Sequence, residues 1–271
     1  MLKRCIKKLA TQSLNKNNYE VIIIDDGGND NCQEVFKEFK NKINIKYYWQ
    51  ENKGPASARN LGIEKSKGCI ILFLNDDVAP IKKNFLDEHL KLNKDSNFAY
   101  LGFGETPKTY LKNEFIRFLA PEGDFFNLRH MKDGEECLPF QFMTYNLSIN
   151  KKWLKNDRFD ENFTDAVLED TELGIRLYKK GLKLLYKESI PVWHYHKYNN
   201  INEFIEKRQK RFRKNYIYLG NKYKIIKYKR LIKGPLLKIL WLFSFLIYKL
   251  IPVKKTRSFY WKRRIIGSSY S

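Results

Sequence analysis

The 271-residue chain has little cysteine: Cys5, Cys32, Cys69 and Cys137 are scattered, and no two form a Cys-x-x-Cys pair. That excludes a disulfide framework and a zinc module and fits a reducing compartment. Histidine is as scarce, with four residues, and two of them, His194 and His196, sit two positions apart. Fourteen glycines and eight prolines are too few for a collagen-like or low-complexity chain. The N-terminus is charged and carries no apolar signal core, so secretion is not expected. Acidic residues nearly vanish beyond residue 200, where only Glu203 and Glu206 occur.

What is present is a folding composition. Hydrophobic residues make up 43% and aromatics 15%, which excludes a disordered chain. The length allows one large domain or two small ones. The net charge of +22 is unevenly placed: residues 201–271 carry +18 and the first 200 residues only +4. A near-neutral body with a basic, aromatic tail points to an anionic surface for the tail alone.

Within the body, apolar runs alternate with helical patterns. Residues 1–14 have Leu2, Ile6, Leu9 and Ala10 near helical spacing. Tyr19–Gly28 is a continuous apolar run closing on Asp25-Asp26 and two glycines, as suits a strand buried on both faces. Residues 31–40 read as a helix and 43–49 as a second strand. Gly54-Pro55 opens a helix to about Lys67, because proline is tolerated in a first turn. Cys69–Leu74 is a third strand, ending at Asn75-Asp76-Asp77. Strand, helix, strand, helix, strand at this spacing predicts an open α/β sheet. Ligands in such sheets sit at the carboxyl ends of the strands, where Asp25/Asp26 and Asp76/Asp77 both fall. Acids there are also ordinary turn formers, but two pairs expected on one sheet edge point to a site.

Four ordered stretches resemble the family 2 glycosyltransferases: Tyr19–Asp30, Gly54–Gly62, Gly68–Val78 and Phe159–Gly181. The resemblance covers about residues 1–200. It implies the GT-A nucleotide-diphospho-sugar fold, a Rossmann-like, mostly parallel sheet flanked by helices. It further implies a nucleotide-sugar-binding half at 1–104, an acceptor-binding half at 105–200, and a helical tail at 201–271 outside the family pattern.

The family's chemistry gives each stretch an expected role. A glycosyl donor leaves behind a nucleoside diphosphate, whose charge a Mn²⁺ or Mg²⁺ ion on carboxylates can neutralise. By resemblance Asp77 binds that metal and Asp76 holds the donor ribose or sugar, with Asn75 standing where the family usually has another aspartate. Asp26, or its neighbour Asp25, falls where the family contacts the base, and an acid there accepts from an imide N–H. Arg59 falls near the nucleotide, although a solvated helix arginine reads equally well. Asp170 is the expected base that takes the acceptor proton, with Glu169 orienting the acceptor or supporting Asp170. Both acids also suit a helix N-terminus. His194 or His196 completes the metal site, and imidazole suits Mn²⁺ better than Mg²⁺. Asn146 falls near the acceptor sugar, and residues 105–140 match nothing firmly.

The family's first strand should precede the helix at Met1 and lie between the Val21–Ile24 and Cys69–Leu74 strands. Its absence would leave two unpaired edges. The expectation is a misplaced start or a gene fragment, or else that the two strands close up or another segment fills the gap. In the tail, the apolar stretch Ile239–Tyr248 is shorter than the roughly 18–20 residues of a spanning helix. Residues 231–264, basic and carrying Trp241 and Trp261, fit a helix on an anionic leaflet. A helix capping the body is the alternative.

Together these readings describe a metal-dependent, inverting transferase. It would move a sugar, UDP-linked by family habit, to a glycan or lipid-linked acceptor of the cell envelope. It would work in the cytoplasm, peripheral on the inner face of the membrane. Two rivals remain: a nucleic-acid-binding protein acting through the tail, and a catalytically dead transferase remnant. The body's acid pairs would repel phosphate unless a metal intervened, so no nucleic acid is expected.

Overall fold

The computed structural model describes residues 1–28, 31–126, 128–195 and 201–223. The elements run α1 (Leu2–Leu9), β1 (Val21–Asp25), α2 (Cys32–Phe39), β2 (Ile45–Trp49), α3 (Pro55–Lys65), β3 (Ile70–Leu74) and β4 (Val78–Pro80). They continue as α4 (Phe85–Leu92), β5 (Phe98–Glu105), α5 (Glu114–Leu119), β6 (Asn146–Asn150), α6 (Glu169–Lys179), β7 (Lys183–His194) and α7 (Ile201–Lys222).

The three apolar runs become β1, β2 and β3, but they do not share one sheet. β1 pairs in parallel with β2 alone, while β3 is the edge of a second sheet ordered β3-β6-β5-β7-β4. No ladder joins β1 to β3 among the described residues. The expectation of a mostly parallel sheet needs correcting as well. β5 and β7 run parallel, whereas β3–β6, β5–β6 and β4–β7 are antiparallel. Periodicity reports burial on both faces and is silent about strand direction, which depends on how the chain returns.

Two apolar clusters underlie the sheets. The smaller packs Cys5, Ile6 and Leu9 of α1 against Ile23, Phe39 and Ile45. The larger fills the second sheet around Leu101, Leu147, Ile149, Leu173 and Tyr186. Leu74 and Leu86 touch both clusters and join them.

α1 ends at Leu9, earlier than the pattern to residue 14 predicts. Thr11 and Gln12 donate back to the carbonyls of Lys7 and Lys8, and Ser13 N–H turns away to Lys83 O at 2.8 Å. Ile190 and Pro191 are part of one twelve-residue strand, β7. Between the pairs Gly102–Lys187 and Gly104–Val192 the register slips, so residues 188–191 bulge. Proline lacks an N–H, and a bulge asks none of it.

Residues 214–223, expected in a basic tail, lie against the body. Asn215 is wholly buried and bonds to the loop before α6. Segment 231–264 and His196 lie outside the described residues. No described helix is long and apolar enough to cross a membrane.

Candidate active site

β1 ends at Asp25, and the chain turns through Gly27 with φ +70°, where an added Cβ would stand 2.9 Å from Asn52 N. The two carboxylates at this strand end are spoken for. Asp25 Oδ2 accepts from Tyr47 OH at 2.7 Å. Burial, then the hydrogen bond to Asp25, pushes the Tyr47 phenol up to about 12. Asp26 accepts three donors from the loop that opens α3: Gln50 Nε2 at 2.6 Å, Lys53 N at 3.0 Å and Gly54 N at 2.9 Å. It thereby fixes the approach to the α3 N-terminus.

The second acid turn follows β3. Val78 N bonds to Asn75 O at 3.3 Å, closing a tight turn that leaves Asp76 exposed and Asp77 half-buried. Antiparallel pairing sets Val78 opposite His194, so the imidazole arrives beside Asp77 with Nε2 3.6 Å from Oδ2. The Asp77 backbone carbonyl accepts from Tyr195 N at 2.8 Å. Aromatic rings fix the imidazole: Phe126 stacks on it at 5.2 Å and Tyr145 at 5.8 Å, with Phe125 edge-on at 5.6 Å. Sequence reasoning missed these rings, because Phe125 and Phe126 lie in the stretch that matches nothing firmly.

Asp77 Oδ1 is buried and makes no hydrogen bond. A carboxylate oxygen hidden from water without a donor is costly, and a cation is one remedy. The Asp77–His194 pair therefore fits a divalent ion as two donors, oxygen and imidazole nitrogen. No group of three or more His, Cys, Asp or Glu side chains that could hold a metal occurs among the described residues. Any further ligands would come from diphosphate or water oxygens.

The third group of acids begins α6. Leu168, in the left-handed region at φ 72°, precedes Glu169 and Asp170. Arg59 is not a solvated helix arginine: its Nη1 reaches Glu169 Oε1 at 2.7 Å, with only 17% and 3% of the two side chains exposed. Glu169 Oε2 is buried with no hydrogen bond. Burial, then repulsion from Asp170, pushes the Glu169 carboxyl up to about 7 despite the guanidinium. Asp170 accepts from Thr171 N at 2.7 Å and Thr144 N at 3.4 Å, and burial raises its pKa too.

One short segment touches both acid groups. Tyr145 O accepts from Asn75 N at 3.4 Å, and Leu74 pairs with Asn146, while the adjacent Thr144 N reaches Asp170. Residues 144–146 thus bring the Asn75–Asp77 turn and the α6 acids together. Asn146 itself makes no hydrogen bond to either acid group among the described residues. It is wholly buried in β6 and donates to Ile190 O at 2.8 Å.

Residues 1–153 match the family described as Glycosyl transferase family 2, and the chain belongs to that family. Escherichia coli chondroitin synthase is 29% identical over 211 residues, covering 65% of this chain and 30% of that protein. The chain spans less than a third of the length of the curated relatives it matches first. Among solved structures, S. aureus TarS 1–349 with UDP aligns with a TM-score of 0.55 at 16% identity, covering 81% of this chain and 62% of that one. The mannosyltransferase PcManGT from Pyrobaculum calidifontis, solved with GDP-Man and Mn²⁺, aligns at 0.59 and 12% identity, covering 80% and 59%. The fold is that of the GT-A glycosyltransferases.

Proposed function

We propose that this glycosyltransferase moves a sugar, by single displacement with inversion, from a uridine-diphospho-sugar to a glycan or polysaccharide acceptor of the cell envelope. The observation that carries the reading is the 144–146 segment, which touches the Asn75–Asp77 turn on one side and Asp170 on the other. A donor at the turn and an acceptor at α6 would then meet across it. The names of the relatives support the choice of polymer and nucleotide: one is a chondroitin synthase and one structural neighbour was solved with UDP.

The geometry supports the following roles. Asp77 and His194 would hold Mn²⁺ or Mg²⁺, which supplies charge neutralisation for the departing diphosphate. Asp76, exposed at the turn, would take a donor hydroxyl. Asp25 and Asp26 keep lone pairs beyond those their neighbours occupy, and one of them would accept the uracil imide N–H. Asp170 would take the proton of the attacking hydroxyl. Burial and then repulsion from Asp170 push the Glu169 carboxyl up to about 7, and burial raises Asp170, towards the range in which a base is poised. Glu169 holds Arg59 and sets that range. The basic segment 231–264 would lie on an anionic inner leaflet and keep the domain near lipid-linked acceptors.

A thermal-shift titration of the chain with uridine, guanosine and thymidine diphosphates, with and without Mn²⁺, tests the donor site. At a hundredfold excess over Kd, binding stabilises the fold by about 2.7 kcal/mol. The expected shift needs uridine diphosphate and Mn²⁺ and disappears in Asp77→Ala. A chain that shifts with none of the three sinks the reading. Salt-sensitive sedimentation with phosphatidylglycerol vesicles, and not with phosphatidylcholine alone, is expected for the basic segment. Binding to RNA in place of vesicles would overturn that assignment.

A further inference from the structure

The loop that leads into the α6 acids has a single backbone hydrogen bond of its own within residues 164–168, Val167 N to Asp165 O at 2.8 Å. Residues 164–168 form no ladder, and Leu168 adopts a left-handed conformation without being glycine, at a cost of roughly 1–2 kcal/mol. The restraint comes from α7. Lys214 Nζ reaches Thr164 Oγ1 at 2.9 Å, and Asn215 Nδ2 donates to both Asp165 O at 2.9 Å and Val167 O at 2.8 Å. A turn later, Tyr218 OH bonds to Asp160 Oδ2 at 2.6 Å. Lys222 and Tyr223 then close on Glu172, at 2.7 Å and 3.0 Å. The inward polar side chains at this end of α7 are therefore spent on residues 160–172.

Asn215 is the member whose chemistry is hardest to explain as packing. It is wholly buried, and its Oδ1 has no hydrogen-bond partner. An amide that leaves its oxygen unsatisfied costs free energy at a core position. Its contribution lies in the two hydrogens, which take the two carbonyls flanking residue 166 immediately before the left-handed turn. The same loop also meets the segment that opens α3. Thr164 Cα stands 3.0 Å from where a Cβ on Gly54 would be, and Gly54 N is one of the donors to Asp26.

We infer that Asn215 is a positioning residue for the Glu169–Asp170 turn: by holding the Asp165 and Val167 carbonyls it fixes the backbone that carries both carboxylates. The kinetic part of this inference rests on Asp170 being the base of the proposed transfer. The structural part does not. α7 thereby makes a helix of the basic C-terminal region part of the acid site's scaffold.

Asn215→Leu keeps the size and removes both donors; Asn215→Ala serves if the leucine variant does not fold. The readout independent of activity is the carboxyl titration of Glu169, followed by ¹³C NMR on labelled chain and assigned with Glu169→Gln. The expected result is a midpoint falling from about 7 towards the ordinary carboxylate range, as a loosened turn admits water. Displaced acids should also lower kcat by about ten- to a hundredfold, with the uridine diphosphate shift retained. An unmoved titration in a folded variant overturns the inference whatever the turnover. So does loss of the nucleotide shift in parallel with kcat, or failure of both variants to fold, since either marks Asn215 as structural only. A moved titration in a chain that turns over no sugar upholds the positioning and sinks the transferase reading.

Discussion

The acids at the end of β1 and the acids at the start of α6 are handled in opposite ways. Asp26 receives three hydrogen-bond donors, two of them backbone N–H groups, and Asp25 receives the Tyr47 hydroxyl. Glu169 is buried beside the half-buried Asp170, with the Arg59 guanidinium on Glu169 and one Glu169 oxygen left without a donor. The first pair is supplied with donors and organises a loop. The second is held where ionisation is resisted, and both of its pKa values rise. Satisfied acids hold a binding surface still, while frustrated acids are poised to exchange a proton.

The comparison breaks most visibly at Asp170. Asp170→Asn keeps the shape and the Thr171 contact but removes the base, so kcat should fall by about 10²–10⁴-fold while the nucleotide shift survives. Equal loss from Asp26→Asn would erase the distinction between the two pairs.

Arg59→Ala comes next. It strands a buried carboxylate, at about 3 kcal/mol by denaturant unfolding above pH 7 and less below it, where Glu169 takes a proton instead. The Glu169 midpoint should move higher still.

Glu169→Gln tests the pH dependence. The folded carboxyl titrates near 7 against 4.5 for the unconstrained group, so the folded state binds the proton more tightly. Stability from this group is complete below pH 4.5 and is lost as pH rises through 7, by roughly 3 kcal/mol. Melting temperatures from pH 4.5 to 8 should show that slope in the parent and flatten it in Glu169→Gln.

The smallest effect belongs to Asp26→Ala, about 1 kcal/mol by urea unfolding, from the lost bonds to Lys53 and Gly54. A loss as large as that of Arg59→Ala would erase the contrast with the α6 acids.

Much of this arrangement was visible in the chain itself. The apolar runs ending in Asp25-Asp26 and Asn75-Asp76-Asp77 declare β1 and β3 and place acids at their ends. The acids of Leu168–Thr171 stand where a helix begins. The Arg59–Glu169 ion pair was not visible, because its partners are separated by 110 residues and only the packing of α3 beside α6 joins them. Asn146 looked like a site residue by its place in a motif, yet strand alternation turned it inward to Ile190 O. Asn215 carried no signal at all, since it sits in a helix whose sequence reads as a basic tail.

Local sequence therefore determined which segments became strands and which residues closed them, since hydrophobic period and turn chemistry act within a few residues. It also carried the family, whose motifs are continuous stretches. The tertiary structure alone decided the division into two sheets, the antiparallel return of β6 and the bulge in β7. It also set which carboxylates were satisfied and which were left wanting. Those outcomes depend on burial and on partners distant in the chain, and the free energy of a charged group is fixed by its surroundings as much as by its identity.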